Sequence, residues 1–321
     1  MEILIVGGGI AGLATAFWLE RRGQRPTVVE RAPDLRAGGY LIDFAGPGYT
    51  ISERMGLRPA LAARHVGVPR LRFVDAAGRQ RLAVDVDALR HRVWAGRHVT
   101  VGRGELAALI HERVKGALPV RFGVTVATLA REGGRVAATF SDGANGRFDL
   151  VVGADGLHSH VRALAFGPEG RYLRPLGYAV AAVTLPAPPP GLGRDAWILT
   201  APGRQLTLYP TGDGGALALF VHRAATPVAD LAAAREALAR AYGDLGWVAP
   251  GVLATALTAP DLYYDTVAQV ELPTWSRGRV TLVGDAAGCV SLLAGQGASL
   301  ALAGAYALAQ ELGRANGDVA G

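Results

Sequence analysis

Residues 1–33 have the sequence MEILIVGGGIAGLATAFWLERRGQRPTVVERAP, in which two apolar runs flank a glycine-rich turn and a run of small residues. The apolar run at residues 3–6 predicts a short buried strand, and a helix through about Arg22 follows it. A second apolar run at residues 24–29 predicts another strand, which ends at Glu30. A strand, a helix and a second strand in this order are typical of a doubly wound α/β sheet.

Three glycines join the first predicted strand to the helix. Gly7, Gly9 and Gly12 form the pattern G-x-G-x-x-G. In such a turn the first glycine permits a tight bend, the second lets a pyrophosphate approach the backbone, and the third lets the helix pack closely on the sheet. The free N–H groups and the positive dipole end of the helix favour phosphate. The pattern predicts a dinucleotide site, with an ordinary glycine-rich turn as the alternative.

Glu30 adds to the glycine pattern. It lies 18 residues after Gly12, near the spacing of an acid that accepts hydrogen bonds from ribose hydroxyls. A carboxylate at this position repels a 2′-phosphate, so the first turn is not expected to hold NADP. The glycines and the acid alone do not distinguish NAD from FAD.

Two later segments repeat the change from an apolar strand to a polar turn. Residues 149–162 are DLVVGADGLHSHVR, where a predicted strand leads into Asp155 and Gly156. Residues 279–312 are RVTLVGDAAGCVSLLAGQGASLALAGAYALAQEL, where a strand stops at Asp285 and a helix of small residues begins near Gly295.

The segments GGGIAG, GADGLHSHVR and GDAAGCVSLLAGQG together resemble the three signatures of the group A FAD-dependent monooxygenases, the para-hydroxybenzoate hydroxylase-like flavoproteins. Residues 39–57 and 299–312 are most similar to the branch that contains tetracycline-inactivating and polyketide-tailoring enzymes. The resemblance implies an α/β fold with a discontinuous Rossmann-like FAD-binding domain and a sheet-based α+β substrate domain. The predicted FAD-binding domain comprises residues 1–68, 94–170 and 272–321, and the predicted substrate domain comprises residues 69–93 and 171–271.

The glycine pattern and the resemblance together predict a set of FAD-binding residues. Asp155 would lie near the pyrophosphate, Asp285 would bind a ribityl hydroxyl, and the arginines would contact the cofactor. N–H groups at the start of the last helix would face flavin N1 and O2, where reduced flavin is negative. Asp155 as a turn residue, Asp285 as a helix cap and Arg103 as a surface ion-pair partner remain alternatives. The set is Gly7, Gly9, Ile10, Ala11, Gly12, Glu30, Arg31, Arg36, Arg103, Asp155, Gly156, Asp285, Gly295, Gln296 and Gly297.

The segment between the second and third signatures is expected to hold the substrate. Residues 196–223 alternate apolar and polar, with a glycine-rich turn at 212–215, which predicts antiparallel strands. Residues 229–242 predict a helix with Asp230 near its start. A mostly apolar pocket would suit a fused aromatic or polyketide-like molecule. The predicted substrate contacts are Trp197, Leu208, Phe220 and Arg223, with Leu199, Leu217 and Tyr209 as further candidates and plain core packing as the alternative.

The resemblance implies a monooxygenase that takes electrons from NADH or NADPH. Dioxygen would add at flavin C4a, and the hydroperoxide would give one oxygen atom to the substrate, so no dedicated protein catalyst is predicted. Two alternatives stay open: a flavin oxidoreductase that inserts no oxygen, and a catalytically impaired FAD-binding protein. The second alternative rests on Gly288, Val290 and Leu292, where relatives often carry a larger residue or prolines, and on the end of the chain at Gly321, beyond which relatives usually continue.

Composition excludes several other classes of protein. The 321 residues carry a formal charge of +6, but Lys115 is the only lysine, and an arginine-rich, alanine-rich chain indicates GC-rich bacterial codons rather than a nucleic-acid surface. The single cysteine, Cys289, allows no disulfide framework or cysteine-based zinc site and fits the bacterial cytoplasm. We expect a monomer or weak dimer.

Two further features are expected to have structural roles only. Residues 286–310 carry no charge, yet their alanine, glycine and serine content predicts a helix packed inside the protein rather than a membrane span. His158 and His160 are predicted to be polar surface residues of a loop rather than a catalytic base or metal ligands.

Overall fold

The computed structural model describes residues 1–35, 39–118 and 120–315 as a mixed α/β fold. The strands are, in chain order, β1 (Glu2–Val6), β2 (Arg25–Glu30), β3 (Leu41–Ala45), β4 (Arg70–Val74), β5 (Gln80–Asp85), β6 (His98–Gly102), β7 (Val120–Phe122), β8 (Val126–Glu132), β9 (Arg135–Phe140), β10 (Asn145–Phe148), β11 (Leu150–Gly153), β12 (Leu173–Leu185), β13 (Ala196–Ala201), β14 (Arg204–Pro210), β15 (Ala216–Arg223), β16 (Tyr263–Val270), β17 (Ser276–Arg277) and β18 (Val280–Leu282). The helices are α1 (Ile10–Glu20), α2 (Gly46–Arg54), α3 (Arg58–Ala63), α4 (Val86–Trp94), α5 (Arg103–Val114), α6 (His160–Phe166), α7 (Leu231–Tyr242), α8 (Ala249–Thr258), α9 (Asp285–Gly288) and α10 (Gly297–Arg314).

The first sheet contains the strands that precede the three glycine-rich segments. Its order is β17-β18-β11-β1-β2-β7, with parallel pairing throughout except for the edge strand β17. Helix α1 is apolar on all sides because it packs between α5 and α10, and only its last residue, Glu20, is exposed. The predicted order of strand, helix and strand is therefore confirmed, and β1, β2, β11 and β18 all end at one edge of the sheet.

The second sheet, which we call the large sheet, has the order β16-β12-β15-β14-β13-β4-β5. Strands β13, β14 and β15 are antiparallel, as predicted, while β4 joins β13 in parallel. Helices α7 and α8 cover one side, which we call the outer side, and bury a core against it. Asp230 caps α7 by accepting a hydrogen bond from the Ala233 N–H at 2.9 Å, in keeping with the predicted helix start.

Two smaller sheets complete the fold. The antiparallel sheet β8–β10 packs against the first sheet together with α6. The antiparallel pair β3–β6 carries α2 beside α10, where the Ser299 hydroxyl donates to Ala45 O and accepts from the Gly48 N–H, both at 3.0 Å. Within the described ranges, no helix combines the length and apolar character that a membrane crossing requires.

Candidate FAD-binding site

The glycine turn after β1 has no room for side chains at two of its three glycines. A Cβ on Gly7, whose φ is +113°, would lie 2.4 Å from Ala154 O, and a Cβ on Gly12 would lie 1.8 Å from Gly7 O. A Cβ on Gly9 would have no neighbour within 4 Å, so this backbone is open to an approaching group. Helix α1 starts at Ile10 without a side-chain cap or an acidic residue in its first turn. An open backbone and uncapped N–H groups fit a pyrophosphate.

Glu30 is held beside this turn by the backbone. Its Oε2 accepts a hydrogen bond from the Gly8 N–H at 2.6 Å, and its Oε1 accepts one from the Ala32 N–H at 2.8 Å. These bonds fix the carboxylate at the end of β2, one strand away from the glycines. Arg31 is exposed, and Arg36 lies outside the described residues.

The segment after β11 lies against the glycine turn. A Cβ on Gly7 would come 3.0 Å from the Asp155 Cα. The Asp155 carboxylate accepts hydrogen bonds from the Ser159 hydroxyl and, at 3.0 Å, from the Val161 N–H, and burial raises its pKa. Gly156 follows with a φ of +82° and open space around it. Asp155 therefore stabilises the start of α6 from a position at the strand edge, so the turn interpretation and the cofactor interpretation are both compatible with its contacts.

The segment after β18 brings the last helix to the same edge. A Cβ on Gly284, whose φ is +62°, would lie 2.7 Å from the Ala11 Cβ at the start of α1. Burial raises the pKa of Asp285, while the nearby Arg103 lowers it. A Cβ on Gly297 would lie 3.6 Å from Asp285 Oδ1. Helix α10 thus begins beside Asp285, and its N-terminus has no side-chain cap.

Gly295 and Gln296 shape the approach to that helix. Gly295 has a φ of +65°, and Gln296 is the first residue before the helix, which begins at Gly297. The Gly295 N–H donates to Leu292 O at 3.1 Å, so the N–H groups available to an electron-rich ligand atom are those at the start of α10. The preceding loop is tied to β16, since the Val270 N–H donates to Cys289 O at 2.9 Å and the Gln269 side chain donates to Val290 O at 2.8 Å.

A partly buried group of side chains that sequence reasoning missed lies near Arg103. The rings of Tyr40 and Tyr263 lie 6.2 Å apart between centroids, and the Tyr263 hydroxyl donates to Asp265 Oδ2 at 3.2 Å. Burial raises the pKa of both tyrosines, and Arg103 lowers it. Cys289 is part of the same region, and burial together with Asp285 raises the pKa of its thiol to about 12. Tyr40 and Tyr263 lie outside the three signatures, so no motif marked them.

His158 is exposed, as predicted, and both of its ring nitrogens face carboxylates. Its Nε2 lies 3.0 Å from Asp265 Oδ1, and its Nδ1 lies 3.1 Å from Glu169 Oε1. These two carboxylates raise the pKa of His158 to about 9, Asp265 contributing most. His160 is exposed at the start of α6. No cluster of potential metal ligands occurs among the described residues.

Most of the predicted substrate contacts lie on the outer side of the large sheet. Trp197, Leu199, Leu208 and Phe220 pack in the core under α7 and α8, on the outer side, and are corrected to core residues. Helices α7 and α8 cover them. Leu217 and Tyr209 pair in register on the opposite, inner side of the sheet. Arg223 is exposed at the end of β15, where it approaches Gly203.

A cavity of about 190 Å³ lies between the inner side of the large sheet and the pair β3–β6. Its polar end contains an ion pair of 2.6 Å between Arg90 Nη2 and Asp43 Oδ2, and the Thr100 hydroxyl donates to Asp43 Oδ1 at 2.9 Å. The cavity is lined by Leu41, Asp43, Val68, Leu71, Val86, Leu89, Arg90, Trp94, Thr100 and Tyr209. A larger hollow of about 330 Å³ lies beside β8, α6 and β18 and includes none of the predicted site residues.

The site as a whole follows the order of the strands. Glu30, the glycine turn, Asp155 and Asp285 stand at the ends of β2, β1, β11 and β18, which are neighbours in that order. Ligands of open α/β sheets bind outside the carboxyl ends of the strands. An elongated dinucleotide would therefore run with its ribose at Glu30, its phosphates at the glycines and its far end at Asp285 and α10. These residues fit FAD, since they offer an acid, an open glycine backbone and a second uncapped helix.

Comparisons with known proteins agree with this geometry. The model of the FAD binding domain family matches residues 1–320. An uncharacterised protein of Mycobacterium tuberculosis is 37% identical over 98% of this chain and 86% of its own length. A flavin-dependent monooxygenase of an unknown prokaryotic organism is 32% identical over 99% of this chain and 83% of its own length.

A solved structure extends these similarities to three dimensions. The tetracycline destructase Tet(51) is 31% identical, with a TM-score of 0.86 over 99% of this chain and 83% of its own. The resemblance predicted from the three signatures is confirmed. The chain belongs to the FAD-binding domain family and, within it, to the group A flavoprotein monooxygenases.

Proposed function

We propose that the protein is an NAD(P)H-dependent monooxygenase that inserts one oxygen atom from dioxygen into an aromatic or polyketide-like small molecule. The match of the FAD binding domain family to residues 1–320 supports the use of FAD in this proposal. When bound, FAD would take electrons from NAD(P)H and pass one oxygen atom of dioxygen to the substrate. We propose residues 1–68, 94–170 and 272–321 as the FAD-binding domain and the remaining two segments as the substrate domain.

Residues of this chain would bind FAD at both its adenosine end and its flavin end. Glu30 would accept hydrogen bonds from the adenosine ribose, and the open backbone at Gly9 would face the pyrophosphate. Asp285 would accept from a ribityl hydroxyl, and the uncapped start of α10 would stabilise negative charge on the flavin. Arg103, whose charge lowers the pKa of Asp285, would add positive charge at the same end.

The cavity between the large sheet and β3–β6 is the proposed substrate pocket. Leu41, Leu71 and Trp94 give it apolar walls, while Tyr209 and the Asp43–Arg90 pair give it a polar end. The Asp43 side chain remains 40% exposed although its partner arginine is buried. A flat molecule with phenol or enol hydroxyls fits such a pocket, and the similarity to a tetracycline destructase supports the same substrate class.

Oxygen insertion is favoured over the two alternative functions because the prokaryotic relative that is 32% identical to this chain is named a flavin-dependent monooxygenase. We propose that the nicotinamide docks transiently, since no second dinucleotide fingerprint follows the first in the sequence. A monomer or weak dimer in the cytoplasm remains our proposal for its state and location.

The decisive experiment measures oxygen incorporation. Purified protein loaded with FAD is incubated with NADH or NADPH and a panel of aromatic polyketides under ¹⁸O₂, and the products are weighed by mass spectrometry. We expect at least one compound to accelerate NAD(P)H oxidation and to gain one ¹⁸O atom. A holoprotein that oxidises NAD(P)H with every compound but labels none would overturn the proposal in favour of a flavin oxidoreductase.

A matched pair of variants links the labelled product to the proposed pocket. Tyr209→Phe removes a hydroxyl from the cavity wall, whereas Tyr178→Phe alters a tyrosine of the same sheet that is absent from the cavity lining. The first variant should lower the rate of ¹⁸O incorporation at limiting substrate, and the second should not. Equal rates of ¹⁸O incorporation in both variants would mean that the substrate does not bind in this cavity.

A further inference from the structure

A continuous chain of hydrogen bonds leads from the surface to the partly buried region around Arg103. It starts at His158, whose side chain is 50% exposed, and ends at the Tyr263 hydroxyl. We propose that His158, Asp265 and Tyr263 form a relay that carries protons from solvent to the flavin end of the site. This inference rests on FAD binding as proposed above, but it does not depend on oxygen insertion into a substrate.

Each link of the relay has hydrogen-bonding geometry. His158 Nε2 lies 3.0 Å from Asp265 Oδ1, and the Tyr263 hydroxyl lies 3.2 Å from Asp265 Oδ2. Asp265 therefore uses one oxygen toward each neighbour, which is the arrangement that lets a carboxylate accept a proton on one side and release one on the other. The links connect the loop after β11 to β16 of the large sheet, so the path crosses between the two sheets.

The charges around the relay keep His158 and Tyr263 protonated. His158 faces Asp265 and Glu169, and Glu169 in turn lies 3.2 Å from the buried Arg162. Because these carboxylates raise its pKa to about 9, His158 carries a proton at neutral pH. Tyr263 faces Asp265, Tyr40 and Arg103, and its own pKa is raised by burial, so its hydroxyl is normally protonated. His158 and Tyr263 therefore each hold a proton, and the exposed His158 can take up another proton from solvent.

The expected chemistry consumes one proton in every cycle. Reoxidation of reduced flavin obeys FADH⁻ + O₂ + H⁺ → FAD + H₂O₂, and coupled turnover obeys NAD(P)H + H⁺ + O₂ + R–H → NAD(P)⁺ + R–OH + H₂O. In both balances the proton comes from solvent while the electrons come from the flavin or the nicotinamide. Tyr263 would release its proton into the site, Asp265 would pass the proton of His158 to the Tyr263 oxygen, and His158 would take a new proton from solvent.

The test follows the reaction of light-reduced holoprotein with oxygen, without NAD(P)H or substrate. His158→Gln keeps a hydrogen-bond donor for Asp265 but cannot relay a proton, and Asp265→Asn blocks the middle link. We expect reoxidation to slow by about 100-fold in each, the low end of what a positioned proton donor contributes. Added imidazole should restore the rate of His158→Gln. His160→Gln, an exposed histidine of the same segment, should behave like the wild type.

A second readout requires no flavin. In the apoprotein, NMR titration of His158 should shift when Tyr263 is changed to phenylalanine, because Asp265 then loses a hydrogen bond and becomes a stronger acceptor. Wild-type reoxidation in His158→Gln would overturn the relay. So would slow reoxidation that imidazole does not rescue and that accompanies weakened FAD affinity, since His158 would then serve only to hold the two sheets together. A missing ¹⁸O product with an intact imidazole rescue would count against the monooxygenase proposal alone.

Discussion

The backbone oxygen of Gly7 lies 1.8 Å from the point where a Cβ on Gly12 would stand. Helix α1 can pack on β1 only because residue 12 has no side chain. We expect Gly12→Ala to lower the free energy of unfolding by about 3 kcal/mol, as overpacking of a core contact does. Chemical denaturation of the apoprotein measures this effect without any contribution from FAD.

Gly9→Ala is the matched control for that prediction. A Cβ at residue 9 meets no atom of the protein within 4 Å, so the apoprotein should keep its stability. FAD affinity should nevertheless fall, because the methyl group would stand where a pyrophosphate approaches the backbone. Flavin fluorescence titration measures the affinity. A Gly9→Ala protein with normal FAD affinity would contradict the assignment of this turn to the phosphates.

Glu30→Gln should weaken FAD binding by about tenfold or more, because a hydrogen bond to a charged group contributes about 1.5–3 kcal/mol. The glutamine can still occupy the end of β2, but it offers one acceptor oxygen where Glu30 uses two toward Gly8 and Ala32. Equilibrium dialysis with FAD measures the change. Glu20→Gln, at the exposed end of α1, should leave affinity unchanged, and an equal loss in both variants would point to a general charge effect.

Local patterns predicted β1, β11 and β18 of the first sheet because a glycine-rich segment follows each of these strands. In the large sheet, local patterns predicted strands but not which side of the sheet the helices cover. Alternation correctly predicted β13–β15, but Leu217 on the inner side and Phe220 on the outer side are both apolar, so period two cannot tell which side α7 and α8 will cover. His158 and Asp265 are 107 residues apart. Their contact depends on the tertiary fold and leaves no local signal.

Phe220→Ala should test the corrected assignment of the outer side. Phe220 is fully buried, with its ring 4.9 Å from that of Tyr242, so its truncation should cost about 3–5 kcal/mol of unfolding free energy. Tyr209→Phe, on the inner side, should leave stability nearly unchanged and raise the KM for a phenolic substrate about tenfold, the value of one hydrogen bond. Thermal unfolding and steady-state kinetics separate the two effects. A stable Phe220→Ala protein with an altered KM would show that Phe220 contacts the substrate after all.

His158 should make the stability of the protein depend on pH above neutrality. Its pKa is raised from 6.5 to about 9 by Asp265 and Glu169, so the folded state binds its proton more tightly than the unfolded state does. The contribution of the ion pairs to stability is therefore complete below pH 6.5 and is lost as the pH rises through about 9. Because the side chain is half exposed, solvent screening reduces the size of the effect.

The measurement is a series of thermal unfolding curves for the wild type and His158→Gln between pH 6.5 and about 9, the window that the pKa shift defines. The wild-type Tm should fall toward the Tm of His158→Gln as the pH rises, and the two should converge at the alkaline end. His160→Gln should follow the wild type throughout. A constant difference in Tm across the range would mean that His158 is held by packing, because only a proton bound more tightly in the folded state makes the difference depend on pH.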